Sequence, residues 1–156
     1  MSKMLLRLAL CSLFASGCSL NSLQREPLSL SELNGNAARY NGQVVVVRGY
    51  VKLAPEGHVL YESQALDAEF RKGWDSGSHD FDVKKYQKYC LTIANPDLLY
   101  KNQATVNGKT LILQGKFVDD YLEGRTIDLG ACPLPSAIII DESNLKRRYG
   151  SILAVK

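Results

Sequence analysis

Histidine is nearly absent from this chain of 156 residues: His58 and His79 are the only two, and neither stands near a cysteine or the other at metal-ligand spacing. The spacing of a zinc site of the usual His and Cys composition is therefore missing. The chain also lacks a Cys-x-x-Cys pair and the Gly-x-Ser-x-Gly elbow of serine hydrolases. Gly108-Lys109-Thr110 has the end of a phosphate-loop pattern, but Gln103 stands where that pattern needs its first glycine, so the stretch reads as a turn entering a strand. The apolar run from Met4 to Phe14 is well short of the roughly 20 residues that a membrane-crossing helix needs. Nor is there a large excess of one charge, with 19 basic and 16 acidic side chains.

What the N-terminus does contain is an address. Lys3 and Arg7 lie before or within the apolar run, and the small residues Ala15, Ser16 and Gly17 follow it, the layout of an export signal. Ala15-Ser16-Gly17-Cys18 resembles the lipobox of bacterial lipoproteins, whose members more often carry Leu at the position of Ala15. The resemblance covers the first eighteen or so residues. It implies that Cys18 is acylated and becomes the first residue of the mature chain, while Cys11 is discarded with residues 1–17. One acyl chain holds a protein to a bilayer only marginally, and the resemblance implies three. Ser19 stands where an Asp would favour inner-membrane retention, so the expected location is the outer membrane, facing the periplasm.

Removing residues 1–17 takes away Lys3 and Arg7 and no acid, and the net charge falls from +3 to +1. Such a domain lacks the basic footprint of a nucleic-acid binder, and nucleic acid is not an expected partner. The one basic cluster, Lys146-Arg147-Arg148, reads as a solvated helix end. Residues 18–28 read as a polar tether and residues 29–156 as a single domain. Cys90 and Cys132 are the cysteines left in it. An even count in an oxidising compartment argues for a disulfide between them, closing a loop of about 42 residues worth on the order of 4 kcal/mol in the chain-entropy model. A metal or catalytic thiol is the competing reading.

The segment pattern is mainly β. Ser29 and Glu32 have the capping-box spacing, predicting a short helix over Leu30 to Arg39. Gln43 to Val51, "QVVVVRGYV", is the strongest strand, with Gly49 inside it marking a bulge or a tight bend. Pro55-Glu56-Gly57 turns into a second strand, "HVLYES", and Tyr89 to Ala94 is a third, with Tyr89, Leu91 and Ile93 on one face. Between them, Gln64 to Lys88 is either a functional excursion or a flexible loop with a helical turn. Asn95-Pro96-Asp97 reads as a helix start with Asn95 as its cap, the helix ending near Gln103. Lys109 to Val118 is a fourth strand, with Leu111, Leu113 and Phe117 inward and Gly115 inside it, and Arg125 to Ala131 a fifth. The tail "AIIIDE" is an extra strand or a cap.

This order resembles the OB-fold, a small five-stranded Greek-key barrel with a helix between strands three and four. The resemblance spans roughly Gln43 to Ala131, and other exported OB-like proteins open with a similar helix before a stretch like Tyr40-Asn41-Gly42. It implies a ligand face on strands two and three, here Tyr61, Tyr89, Thr92 and Tyr121, where aromatic rings stack on a ligand. One point is awkward. Strands three and five of such a barrel are parallel, so Cys90 and Cys132 meet only if strand three begins early or the chain folds back after strand five.

Two acidic loops are the remaining chemistry: Asp75, His79, Asp80 and Asp82, and Asp119, Asp120 and Glu123. The first lacks the glycine and glutamate of a calcium loop, and turn chemistry accounts for the second. No cofactor and no metal is expected. The function expected is a non-catalytic binding or assembly module of the cell envelope, held to the membrane by lipid, with an envelope protein or glycan as partner. The alternative is an envelope hydrolase using those loop carboxylates.

In cells, the intact protein is expected to carry acyl mass on Cys18 and no thiol that alkylates without reduction, and Cys18→Ala is expected to move it into the soluble periplasmic fraction. An unacylated wild type refutes the anchor; two freely alkylating thiols refute the disulfide.

Overall fold

Strict alternation builds the first strand. The computed structural model describes residues 26–55, 57–123 and 135–153, and in its β1 (Val44–Ala54) the residues Val45, Val47, Val51 and Leu53 are buried while Val44 and Arg48 face solvent. That is the period of a strand with one face on a core. β2 (Gly57–Tyr61) folds back as a hairpin, with Ala54 opposite Gly57 and Tyr50 opposite Tyr61. β3 (Cys90–Ile93), β4 (Thr110–Val118) and β5 (Ala137–Ile140) complete a closed barrel in the order β1-β2-β3-β5-β4. Every neighbouring pair is antiparallel except β3 and β5, which are parallel. This is the mainly β, OB-like Greek-key barrel that the element order predicts.

The strand that closes the barrel is a correction. Arg125 to Ala131 lies outside the described residues, and the barrel is shut by Ala137–Ile140 from the tail. Ile138 and Ile140 are buried and Ile139 faces out, a β-branched run suited to a half-buried pleated surface. The two residues after β5 begin a helix, α7 (Glu142–Tyr149), capped by Asp141, whose side chain accepts from the Asn144 amide at 2.9 Å. Lys146, Arg147 and Arg148 sit in its last turn and are exposed, as the solvated-helix-end reading required.

Helices stopper both ends. At one end, α1 (Leu30–Gly35) and α2 (Ala37–Tyr40) replace the single helix expected over Leu30 to Arg39; the break falls at Asn36, whose side-chain amide donates back to the Glu32 carbonyl. Ser29 caps α1 as its spacing predicts, accepting from the Glu32 amide at 3.1 Å. Leu30 and Leu33 enter the barrel core completely buried. Between β3 and β4 the chain forms α5 (Asp97–Lys101) and α6 (Gln103–Val106), and Leu99 and Val106 fill the other end. A fully buried side chain of this kind contributes about 1.5–3 kcal/mol. Asn95 is not the cap of α5, which starts from Pro96 without a side-chain cap. Its side chain serves the sheet, donating to the Ile140 carbonyl at 2.9 Å and accepting from the Ile140 amide at 2.6 Å.

Two glycines face the barrel interior. Register runs through Gly49 without an extra residue, so there is no bulge there; a β-carbon at Gly49 would lie 3.0 Å from the Leu60 β-carbon. Gly115 is tighter, because a β-carbon would run into the Ile139 carbonyl oxygen and lie 2.8 Å from Ile138 Cγ1. Gly49→Val and Gly115→Val are both expected to destabilise the protein despite valine's strand propensity, with the Gly115 change the larger at ~1–3 kcal/mol or beyond. Urea denaturation measures this. A stabilising valine at either position would mean a flat sheet able to accommodate it.

Candidate functional site

The face that the sequence nominates for ligand is already occupied. The stretch from Gln64 to Lys88 contains α3 (Gln64–Asp75), capped by Ser63 through the Leu66 amide at 3.2 Å, and the short α4 (Lys84–Gln87). These lie over the outer side of β1, β2 and β3 and make a second core of Tyr50, Val59, Tyr61, Phe70, Tyr86 and Cys90, edged by Leu66, Phe81 and Val83. Phe70 is its hub: the rings of Tyr61, Trp74, Phe81 and Tyr86 all lie 5.5–6.1 Å from it. Gly73 is required by this packing, since a β-carbon there would overlap the Phe81 ring. The helix is also held by charge. Buried Asp67 accepts from Arg71 Nε at 3.3 Å and lies 4.0 Å from the ammonium of Lys52 on β1.

α3 and α4 are tied to each other as well. The Tyr86 hydroxyl donates to Glu69 at 2.7 Å and the Lys85 ammonium at 3.2 Å. Those bonds, the tyrosine's first, hold the Glu69 carboxyl below its usual range, while the hydrogen bond to Glu69 raises both Lys85 and Tyr86. A lowered carboxylate means that this tie is complete at neutral pH and is lost as pH falls through the Glu69 value.

The four sequence-nominated residues therefore part company. Tyr61 is 2% exposed, inside the second core, and is no ligand contact. Thr92 is half-buried on β3, opposite Val59, and its amide donates to the Ser136 carbonyl. Tyr121 is exposed, with its amide donating to the Pro135 carbonyl at 2.7 Å. Only Tyr89 stands in a cleft. That cleft, of about 660 Å³, opens at the end of the barrel where β3 and β5 begin, and Tyr89, Lys84, Lys85, Lys88, Asn34 and Asp119 are among its walls. The Lys88 ammonium lies 4.8 Å from the centre of the Tyr89 ring.

Asn34 fixes the geometry of this end. Its amide donates to the carbonyls of Cys90 at 2.8 Å and Lys88 at 3.2 Å, and its oxygen accepts from the Ser136 hydroxyl at 3.1 Å. The lysines and Asn34 were not singled out from sequence, although "KKYQK" over residues 84–88 carries three cations within five positions. Cys90 is completely buried at the start of β3. Cys132 and the lipobox, including Cys18, lie outside the described residues.

The acidic loops do not converge on this cleft. Asp75, His79, Asp80 and Asp82 are exposed along the end of α3 and the connection to α4, and of the second group only Asp119 lines the cleft. His58 is half-buried on β2, its ring edge-on to Tyr100 at 6.1 Å, and burial lowers its pKa so that it is neutral at pH 7. Among the described residues, no three His, Cys, Asp or Glu side chains gather as a metal site would need, and no helix is long and apolar enough to cross a membrane. No protein-family profile matches this chain, and neither a curated protein nor a solved structure does.

Phe70→Ala is expected to cost about 3–5 kcal/mol, because the aromatic cluster covering β2 and β3 loses its centre. A loss below about 1 kcal/mol in chemical denaturation would show that α3 is not integral to the fold.

Proposed function

We infer that this chain is an envelope lipoprotein, anchored through Cys18 at the outer membrane, whose barrel is a non-catalytic binding or assembly module. The observation that carries the binding reading is the cleft beside Tyr89. Among the described residues, its walls bring together an aromatic ring and three lysines, with a single carboxylate, Asp119, and no histidine. Lysines are strongly hydrated point charges that attract anionic groups, and an aromatic ring offers a stacking surface for a sugar or an apolar side chain. An acidic envelope glycan or an acidic segment of an envelope protein is the class of ligand that fits. Acid–base hydrolysis by two carboxylates would need a second acid in reach of the first, and among the described residues the cleft's walls supply Asp119 alone.

The pairing of Cys90 with Cys132 belongs to the same reading. β3 and β5 are parallel, with Thr92 opposite Ala137. In the sequence, Cys90 precedes the first of these by two residues and Cys132 the second by five, a separation that supports the pairing. A β5 that starts at Ala137 supports that pairing. Such a bond would brace the cleft wall next to Tyr89.

Crosslinking in intact cells, followed by identification of what is captured, tests the module. Capture is expected to fall about tenfold or more when Lys84 and Lys88 are both changed to Glu, both being exposed. Undiminished capture would move the binding site away from this cleft.

A further inference from the structure

β1 is shared between two neighbours that divide it by length. β4 pairs with it from Val44 to Tyr50, whereas β2 pairs only from Tyr50 to Ala54. On the β2 side, the stretch from Val44 to Arg48 thus has no strand beside it among the described residues. One residue fills part of the gap. Leu28 bridges to Val47 in parallel, its amide donating to the Val46 carbonyl at 2.8 Å and its carbonyl accepting from the Arg48 amide at 3.2 Å. Alternation along a strand then puts the Val44 amide, the Val44 carbonyl and the Val46 amide on this same edge.

The next parallel rung would be Glu26, donating to the Val44 carbonyl and accepting from the Val46 amide. Among the described residues, neither bond is made. The chain instead swings clear at Glu26 and Pro27, and a cleft of about 440 Å³ opens between Glu26 and Leu28 on one side and Arg39, Tyr40 and β1 on the other. Val44 is 58% exposed at its mouth. Natural sheet edges are ordinarily blunted by lysine, proline or a bulge, and Val44-Val45-Val46 carries none of these.

We propose that the Val44–Val46 edge of β1 receives an extended segment of a partner protein as an added strand. Donors and acceptors that alternate along an edge are complementary to extended backbone and to no compact small molecule. The occupant is a single extended chain because the edge is recessed between Arg39 and Tyr40 of α2 and the Glu26–Leu28 segment. The edge strand of a second barrel would bring its own neighbours into those walls. The chain's own upstream residues are disfavoured because Glu26 has already left the register. An apolar side chain on the incoming strand would lie beside exposed Val44. The proposal rests on the reading of the chain as an assembly module and names the surface through which it assembles; it does not depend on lipid at Cys18.

A photoreactive amino acid at Gln43, exposed on the cleft wall, in the full chain in intact cells tests this. The expected adduct maps to one segment of another protein. A synthetic peptide of that segment is then expected to slow amide exchange at Val44 and Val46 by about tenfold or more, leaving Val45 and Val47 unchanged. Val44→Pro, which removes one edge donor at the first residue of the strand, and Val44→Lys, a solvent-facing change that keeps the backbone, are each expected to abolish the adduct. The proposal is overturned by an adduct between two copies, by an adduct to the chain's own residues ahead of Glu26, by no adduct, or by adducts indifferent to both substitutions. Lys84 and Lys88 lie in the other cleft, so capture undiminished by their change to Glu, with the Gln43 adduct intact, would sink the ligand reading alone.

Discussion

Closure of the barrel hangs on a parallel pair in which only Thr92 and Ile93 face partners, Ala137 and Ile138. A ladder that short supplies few backbone bonds, each worth only about 1 kcal/mol net, and parallel pairing is slightly the weaker kind. Two asparagines lengthen it. At one end the Asn95 side chain exchanges both of its hydrogen bonds with the Ile140 backbone, standing in for a further rung; at the other, Asn34 reaches from α1 to the Cys90 carbonyl and the Ser136 hydroxyl. A side-chain amide can do this because it carries the same donor and acceptor as a peptide group. The completely buried Leu91, Ile93 and Ile138 depend on that closure, as do the placement of α1 and the cleft that Asn34 borders.

The second dependence is between the excursion after β2 and the location of any site. An OB-like barrel ordinarily offers the outer face of strands two and three. Here Phe70 and its ring partners spend that face on folding. The clefts that remain lie at the end of the barrel beside Tyr89 and along the Val44–Val46 edge of β1, both bordered by the helices that precede β1.

β1 and β4 were legible in the sequence because alternation over a long run has one physical solution. The third strand and the turn at Gly108 were legible for similar reasons. α3 was not: apart from Leu66, Phe70, Trp74 and two alanines it is polar, and it contains Gly73, so its stability comes from packing on the barrel and not from propensity. A four-residue run such as Ala137–Ile140 is too short for periodicity to tell a strand from a cap. Asn95 shows a local rule giving way to a tertiary one, since a good cap position was used instead to finish a ladder. For Tyr61 the parity was readable, but nothing in its own neighbourhood says that a helix from farther along the chain will cover it. The lysines of residues 84–88 became a wall of a cleft only because α4 brings them beside the start of β3.

Leu28 gives the molecule a load path. Any tug on the chain ahead of Glu26 reaches the barrel first through the two hydrogen bonds that Leu28 makes along β1. Because the two strands run the same way, a pull along their axis strains both bonds together and cannot peel them one at a time. Behind them sit Leu30 and Leu33, completely buried at the barrel's end, and β1 itself, gripped by β4 and β2 along its length. Traction would thus be spread along β1, the longest of the described strands, before it reached the helices packed on its outer side.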